Sequence, residues 1–254
     1  MKLFKIINLI LFFSIFLIPE ALTAEYGATT SASTYQINIF RIELCDSTSS
    51  ATACNNSVAI YDGGDSGAID IASTTAGAAA AALGNLNKAT IGTKYTWMQV
   101  TMARKITIAG GGSALSTGAQ ACYTNGTAGT AAQSALGSTT AGDEADTVVY
   151  MGIAGSTNAS SNVNSTTAAD GTGTDADTGA FDSGDEYIEW RGEITGGLIV
   201  QGGRIPGAKI AFGTSAALGF YNPDTDNNDC DTRAGGVVKN GFYGAEPDVT
   251  MTFE

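Results

Sequence analysis

Alternating apolar side chains between Tyr95 and Ile108 restrict the fold more than any other feature of the sequence. A side-chain period of two is that of a β-strand with one buried face. We expect this segment to be the longest strand, with its second face turned toward solvent or a partner. The apolar residues that share one parity are Met98, Val100, Met102, Ile106 and Ile108.

A second apolar run, residues 35–45, changes parity half-way. Its side chains can all face inward only if one extra residue is inserted near Ile39 and Phe40, which is a β-bulge. The run therefore predicts a bent strand that faces the core. Tyr35, Ile37 and Ile39 lie on the first parity, and Phe40, Ile42 and Leu44 on the second.

The remaining apolar runs are short and are separated by turns rich in the chain's 33 glycines. Residues 76–86 are the one plausible helix, and residues 109–142 and 156–183 are predicted as long Gly/Ala/Ser/Thr-rich loops. This pattern predicts an all-β fold, an antiparallel β-sandwich of immunoglobulin-like type or a barrel, and we expect one elaborated sandwich. The runs are 58–61 and 68–71, expected to form a hairpin, then 147–153, 186–190, 192–200, 208–212, 218–221, 237–243 and 249–253.

The first 24 residues have the pattern of a signal peptide. Lys2 and Lys5 precede an apolar core over residues 6–18, and the small residue Ala24 marks the cleavage site. The rival interpretation is an uncleaved membrane anchor. A span needs roughly 20 apolar residues, and the core over residues 6–18 is shorter than that. We expect a secreted, cell-surface or periplasmic protein that does not insert into the membrane after cleavage. Residues 25–34 are predicted as a flexible arm, and 35–254 as one elaborated sandwich with a possible division into 35–110 and 145–254.

Four cysteines in an exported chain indicate disulfides, and three pairings are possible. Cys45 and Cys54 flank a short Ser/Thr/Ala loop after a predicted strand, which favours a local bridge. Cys122 would then pair with Cys230.

Charge and composition exclude several classes of function. The chain carries a formal charge of −13 and no histidine. A negative field disfavours nucleic acid and anionic lipid, which need Lys/Arg clusters. The absence of histidine removes Ser-His-Asp and Cys-His catalysis and His-ligated zinc. We expect no catalytic residues, and hence no enzyme.

An acidic segment is the strongest candidate for metal binding. Alternating oxygen side chains on a turn can converge on Ca²⁺, although the bidentate Glu of an EF-hand loop is missing. The alternative is an acidic, solvated turn beside a disulfide. The candidate ligands are Asp224, Asp226, Asn228, Asp229 and Asp231.

Three segments of residues 35–108 carry a resemblance to a known family. They are YQINIFRIELC at 35–45, AIDIAS at 68–73 and IGTKYTWMQV at 91–100. In this order they resemble an uncharacterised bacterial surface-domain family with a prealbumin-like sandwich. Many members of that family are lipoproteins, whereas no cysteine follows the cleavage site here. The resemblance implies the fold more than a function.

These observations favour a noncatalytic structural or adhesive subunit, which assembles with itself or with other surface components through strand edges. The alternative is a Ca²⁺-dependent module that binds glycan or another surface ligand. A less favoured third class is a hydrolase with Glu189 and Glu193 as its acid pair. The aromatic candidates for ring stacking on a glycan are Trp97, Tyr187, Trp190, Phe220 and Tyr221.

Overall fold

The computed structural model describes residues 29–73, 83–112, 121–151, 163–166, 181, 184–202, 208–221, 230 and 241–253. This part of the chain is all-β with antiparallel sheets, as predicted, and contains a single 3-10 turn at Leu86–Lys88. The strands are β1 (Thr29–Thr30), β2 (Ala32–Asp46), β3 (Val58–Tyr61), β4 (Ala68–Asp70), β5 (Lys94–Ala103), β6 (Lys105–Gly112), β7 (Cys122–Thr124), β8 (Gly137–Ser138), β9 (Thr147–Tyr150), β10 (Val163–Thr166), β11 (Tyr187–Ile199), β12 (Ala208–Gly213), β13 (Leu218–Tyr221), β14 (Gly241–Gly244) and β15 (Asp248–Phe253).

The strand β2 has different partners in its two halves. Its first half pairs with β6 and β4 on opposite sides, and its second half pairs with β5 and β3. The register shifts between Ile39 and Arg41, which confirms the bulge predicted from the change of parity. Ile39, Ile42 and Leu44 are buried, whereas Phe40, also expected to face inward, is only half-buried.

The single longest strand predicted over residues 95–108 is wrong, because Arg104 divides it into β5 and β6, and β2 with 15 residues is longer than either. These two strands run consecutively along β2. On their far side, β11 pairs with β5 and β9 pairs with β6. With β3, β4, β7, β8 and β10, these strands form one sheet that has ten strands among the described residues. The sheet contains strands from both 35–110 and 145–254, so its hydrogen bonds join the two possible subdomains.

Arg104 is fully buried at the break between β5 and β6. Its guanidinium donates hydrogen bonds to three backbone carbonyls that come from three separate segments. Nε donates to Met151 O (3.1 Å), one terminal nitrogen to Asp185 O (3.1 Å) and the other to Ala131 O (3.0 Å). A buried charge is tolerated because it is hydrogen-bonded in this way.

Rings and backbone bonds complete the surroundings of Arg104. Its guanidinium carbon lies 5.0 Å from the ring centre of Phe181 and 5.9 Å from that of Tyr150, within the range of cation–π attraction. Its amide donates to Glu186 O, and its carbonyl accepts from the amide of Met151, each at 2.9 Å. The backbone hydrogen bonds of the sheet therefore continue across the break, and Arg104 links the end of β9 to the start of β11.

Two small sheets pack on the apolar face of the large one, which gives the fold its sandwich-like form. One is β1–β13–β14 and the other is β12–β15. The rings of Phe220 and Phe242 meet edge to face at 5.2 Å within the first. Gly244 packs against the side chain of Ile106, which brings β14 onto the large sheet.

Both predicted disulfides are confirmed. Cys45 pairs with Cys54, and Cys122 pairs with Cys230 across 108 positions. The second bridge ties the start of β7 to a residue near β8, where the amide of Gly137 donates to Cys230 O (2.8 Å). Small side chains let these backbone segments approach closely.

The predicted hairpin of 58–61 with 68–71 is wrong. β3 and β4 do not pair with each other, because each pairs with a different half of β2. A strand of 15 residues offers an edge long enough for both. The intervening turn is itself tied to β2, where the amide of Ser66 donates to Ile39 O (2.9 Å).

The flexible arm and both predicted loops also differ from expectation, since β10 (Val163–Thr166) lies within 156–183 and pairs with β11. Residues 29 and 30 pair with β13, and β2 already begins at Ala32, which is buried. Small side chains did not prevent these residues from taking backbone partners at sheet edges. Within 109–142, β6 extends to Gly112, and β7 and β8 add strands that the composition did not indicate. Residues 25–28, and 76–82 of the expected helix, lie outside the described residues.

We expect the substitution Arg104→Met to destabilise the protein by about 3 kcal/mol or more, because three buried carbonyls would lose their donor. The measurement is urea unfolding followed by far-ultraviolet circular dichroism. Lys105→Met, at the exposed neighbouring position, is the control and should change stability by less than about 0.5 kcal/mol. Equal losses for the two variants would contradict the role assigned to Arg104.

Candidate functional site

The second face of β2, β5 and β11 carries polar side chains in two rows across the strands. Glu43, Gln99 and Arg191 lie opposite one another in one row, and Arg41, Thr101 and Glu189 in the next. The expectation that this face of β5 meets solvent or a partner is wrong at its centre, because Gln99 and Thr101 are buried. Gln99 can lie there because its amide is hydrogen-bonded, whereas the buried hydroxyl of Thr101 has no hydrogen-bond partner among the described residues.

Gln99 joins the charged groups of these rows. Its Nε2 donates to Glu43 Oε2 (3.0 Å) and Glu189 Oε1 (3.3 Å), and its Oε1 accepts from Arg191 Nε (2.7 Å). Arg191 also forms an ion pair with Glu189 at 2.8 Å, and Arg41 one with Glu43 at 3.2 Å. Each carboxylate of this network therefore has a cationic partner.

Burial dominates the protonation behaviour of the network. Burial raises the pKa of Glu189, and the charge of Arg191 only partly opposes that shift. Burial likewise lowers the pKa of Arg191, against the opposite effect of Glu189. Burial therefore penalises the charged forms of Glu189 and Arg191, and their mutual attraction offsets part of that penalty.

Glu189 and Glu193 do not form a close pair. They lie four residues apart on β11, and about 13 Å of strand separates their backbones at a rise of about 3.3 Å per residue. Glu189 is buried in its ion pair, whereas Glu193 is exposed. Two-carboxylate glycosidases hold their acids about 5 to 9.5 Å apart. This arrangement does not favour the pair as an acid and a base.

An open cleft of about 540 Å³ lies beside this network. Both tryptophans of the chain, Trp97 on β5 and Trp190 on β11, line it. Trp97 is half-buried and lies directly opposite Glu193 across the β5–β11 pair. Ala51, from the loop closed by the Cys45–Cys54 bridge, lines the cleft as well.

Trp190 is fixed by contacts on two elements. Its indole N–H donates to Glu246 Oε1, in the segment between β14 and β15. Its ring lies against Gly192, where any Cβ would overlap with the indole. Glu246 and Asp248 are exposed and line the same cleft, so the rim carries carboxylates from two parts of the chain.

Phe220 and Tyr187 do not line the cleft. Phe220 is buried against Phe242, and Tyr187 meets Phe40 edge to face at 5.0 Å. The side chain of Tyr221 lies outside the described residues. Sequence reasoning included Trp97 and Trp190 among five aromatics but had no signal that these two share one site, because 93 positions separate them in the chain.

The candidate Ca²⁺ ligands Asp224, Asp226, Asn228, Asp229 and Asp231 all lie outside the described residues. Of their segment the structure describes only Cys230. In the described parts of the chain, no group of three or more His, Cys, Asp or Glu side chains is placed to hold a metal ion. The Ca²⁺ site stays a prediction.

Comparison with family models, with curated proteins and with solved structures found no match to this chain. Within the described ranges, no helix has the length and apolar character that a membrane span requires.

We expect Glu189 to make stability depend on pH. Because its pKa is raised in the folded protein, its contribution is fully present below the unfolded value near 4.5 and is lost as pH rises through the folded value. The advantage of the wild type over Glu189→Gln should therefore be larger at about pH 4 than at about pH 7. Urea unfolding of both proteins across this range measures it. An advantage that grows with rising pH would contradict this cause.

Proposed function

We propose that the protein is a noncatalytic, exported adhesive subunit of the cell surface or extracellular space, which holds a surface ligand in the cleft of Trp97 and Trp190. The observation that carries this proposal is that both tryptophans of the chain line one open cleft, where Trp97 is half-buried and Trp190, from the apolar face of β11, is buried. Indole rings provide large, rigid contact surfaces, and ligand sites of about 300 to 1,000 Å³ are typical for small molecules.

The noncatalytic part of the proposal rests on how the acids are used. The buried carboxylates of Glu43 and Glu189 are held by Arg41 and Arg191, which favours a structural role for them. Histidine, the commonest general base, is missing from the sequence. Recognition of a ligand needs neither group.

The export part rests on the N-terminal pattern and on the disulfides, which are compatible with an extracellular location. The resemblance to a bacterial surface-domain family with a prealbumin-like sandwich agrees with this assignment and belongs to the same proposal. The dependence of binding on Ca²⁺ is measured separately.

The proposal predicts saturable binding to a defined set of glycans on an array. Trp97→Ala should weaken that binding by about tenfold or more, since truncating a tryptophan that anchors a binding site costs about 2 kcal/mol or more. Ile199→Ala removes an exposed apolar side chain outside the cleft and is the matched control. Arrays with Ca²⁺ and with a chelator separate the Ca²⁺-dependent alternative.

Thermal unfolding of both variants checks that they fold. If Trp97→Ala unfolds, Ala51→Gln replaces it, because this change fills the cleft from a surface loop and removes no interior contact. Specific binding that survives in every folded cleft variant would overturn the assignment of the cleft.

Self-assembly through strand edges is a second candidate, and the sheet of β12 and β15 favours it. Among the described residues each of these strands pairs only with the other, so their outer edges present backbone groups to a further strand. Size-exclusion chromatography with light scattering should show oligomers whose proportion rises with protein concentration. A strict monomer at high concentration, with and without Ca²⁺, would exclude this candidate.

A further inference from the structure

We infer that the cleft selects ligands that carry an ammonium group; this inference rests on the function proposed above and names the chemistry of the ligand. Trp97, which is half-buried, offers its indole ring to the cleft, whereas Trp190 is buried in the core and only borders it. A cation over an indole face gains about 0.5 to 2 kcal/mol from the ring quadrupole. Carboxylates next to those rings add direct Coulomb attraction. Aromatic and anionic groups together favour a cation over a neutral ligand of the same shape.

The carboxylates come from two separate elements. Glu193 lies on β11 directly opposite Trp97. Glu246 lies just before β15, and Asp248 is the first residue of that strand. Glu246 accepts the indole N–H of Trp190, which places this negative charge at the edge of a ring that is itself buried. Charge and aromatic surface are thereby held next to each other.

Arg191 is the one basic residue among the described residues that line the cleft. Its positive charge is balanced by Glu189 at 2.8 Å, and its Nε donates to Gln99 at 2.7 Å. The cleft therefore keeps the negative charge of its three rim carboxylates. The overall charge of −13 adds a long-range attraction for cations.

Several surface molecules share this chemistry. Quaternary ammonium head groups of the choline type, lysine side chains and the free amine of glucosamine all present a positive nitrogen on a polar or extended body. The cleft is open to solvent, which permits a group attached to a larger molecule to enter.

The test is a titration of the exported full-length protein with choline and with its uncharged isostere, 3,3-dimethylbutan-1-ol. Because both tryptophans of the chain line the cleft, a ligand there should change the intrinsic fluorescence, and Trp97→Ala shows how much of that change comes from the half-buried ring. We expect choline to bind about tenfold more tightly than the alcohol, with an affinity that falls as salt is added. Equal affinity for the two compounds would overturn the inference.

Further titrations identify the source of the ammonium group. Hexalysine and the hexamer of glucosamine are compared with the neutral hexamer of N-acetylglucosamine. The double variant Glu193→Gln/Asp248→Asn should weaken binding of the preferred cation by about tenfold. Asp143→Asn/Glu144→Gln, which removes the same charge from exposed residues outside the cleft, should leave it unchanged.

The two proposals fail in different ways. Tight binding of a neutral saccharide in the cleft, with no preference for the cations, would overturn the ammonium inference and leave the adhesive function standing. No response of either tryptophan to glycans or to ammonium compounds would count against both.

Discussion

A buried arginine joins the strands of this sandwich at the point where they would otherwise end. Arg104 separates β5 from β6. At the same level of the sheet, β9 ends and β11 begins. Its backbone continues the ladder between these strands, and its guanidinium satisfies three carbonyls from separate segments. An uncharged side chain would leave those carbonyls unpaired in the interior, so the joint depends on this residue.

The register that starts at this joint determines what lies on the sheet further along. The bond from Arg104 to Glu186 immediately precedes the pairing of β11 with β5. That pairing places Glu189 and Arg191 opposite Thr101 and Gln99, which builds the buried polar network. It also places Glu193 opposite Trp97 and so forms one wall of the cleft. A shift by one residue would exchange the two faces of β11.

Part of this structure could be predicted from local patterns. The change of parity at Ile39 and Phe40 predicted the bulge, and the short loop between Cys45 and Cys54 predicted both disulfides. What sequence reasoning missed depends on contacts between distant residues. Arg104 and Lys105 are two adjacent charges inside the strand predicted over 95–108, and the pattern did not indicate that Arg104 is buried and divides that strand. Gln99 has the polarity of an exposed residue, and only its partners on β2 and β11 show why it is buried.

Native-state hydrogen exchange followed by NMR tests the central role of the joint most directly. The amide of Arg104 donates to Glu186 O, and the amide of Met151 donates to Arg104 O, each at 2.9 Å across the break. If the joint holds the sheet together, these two amides should exchange only through global unfolding, with the same free energy as the central amides of β5. Exchange of both amides at the rate of exposed turns, while β5 stays protected, would contradict this account.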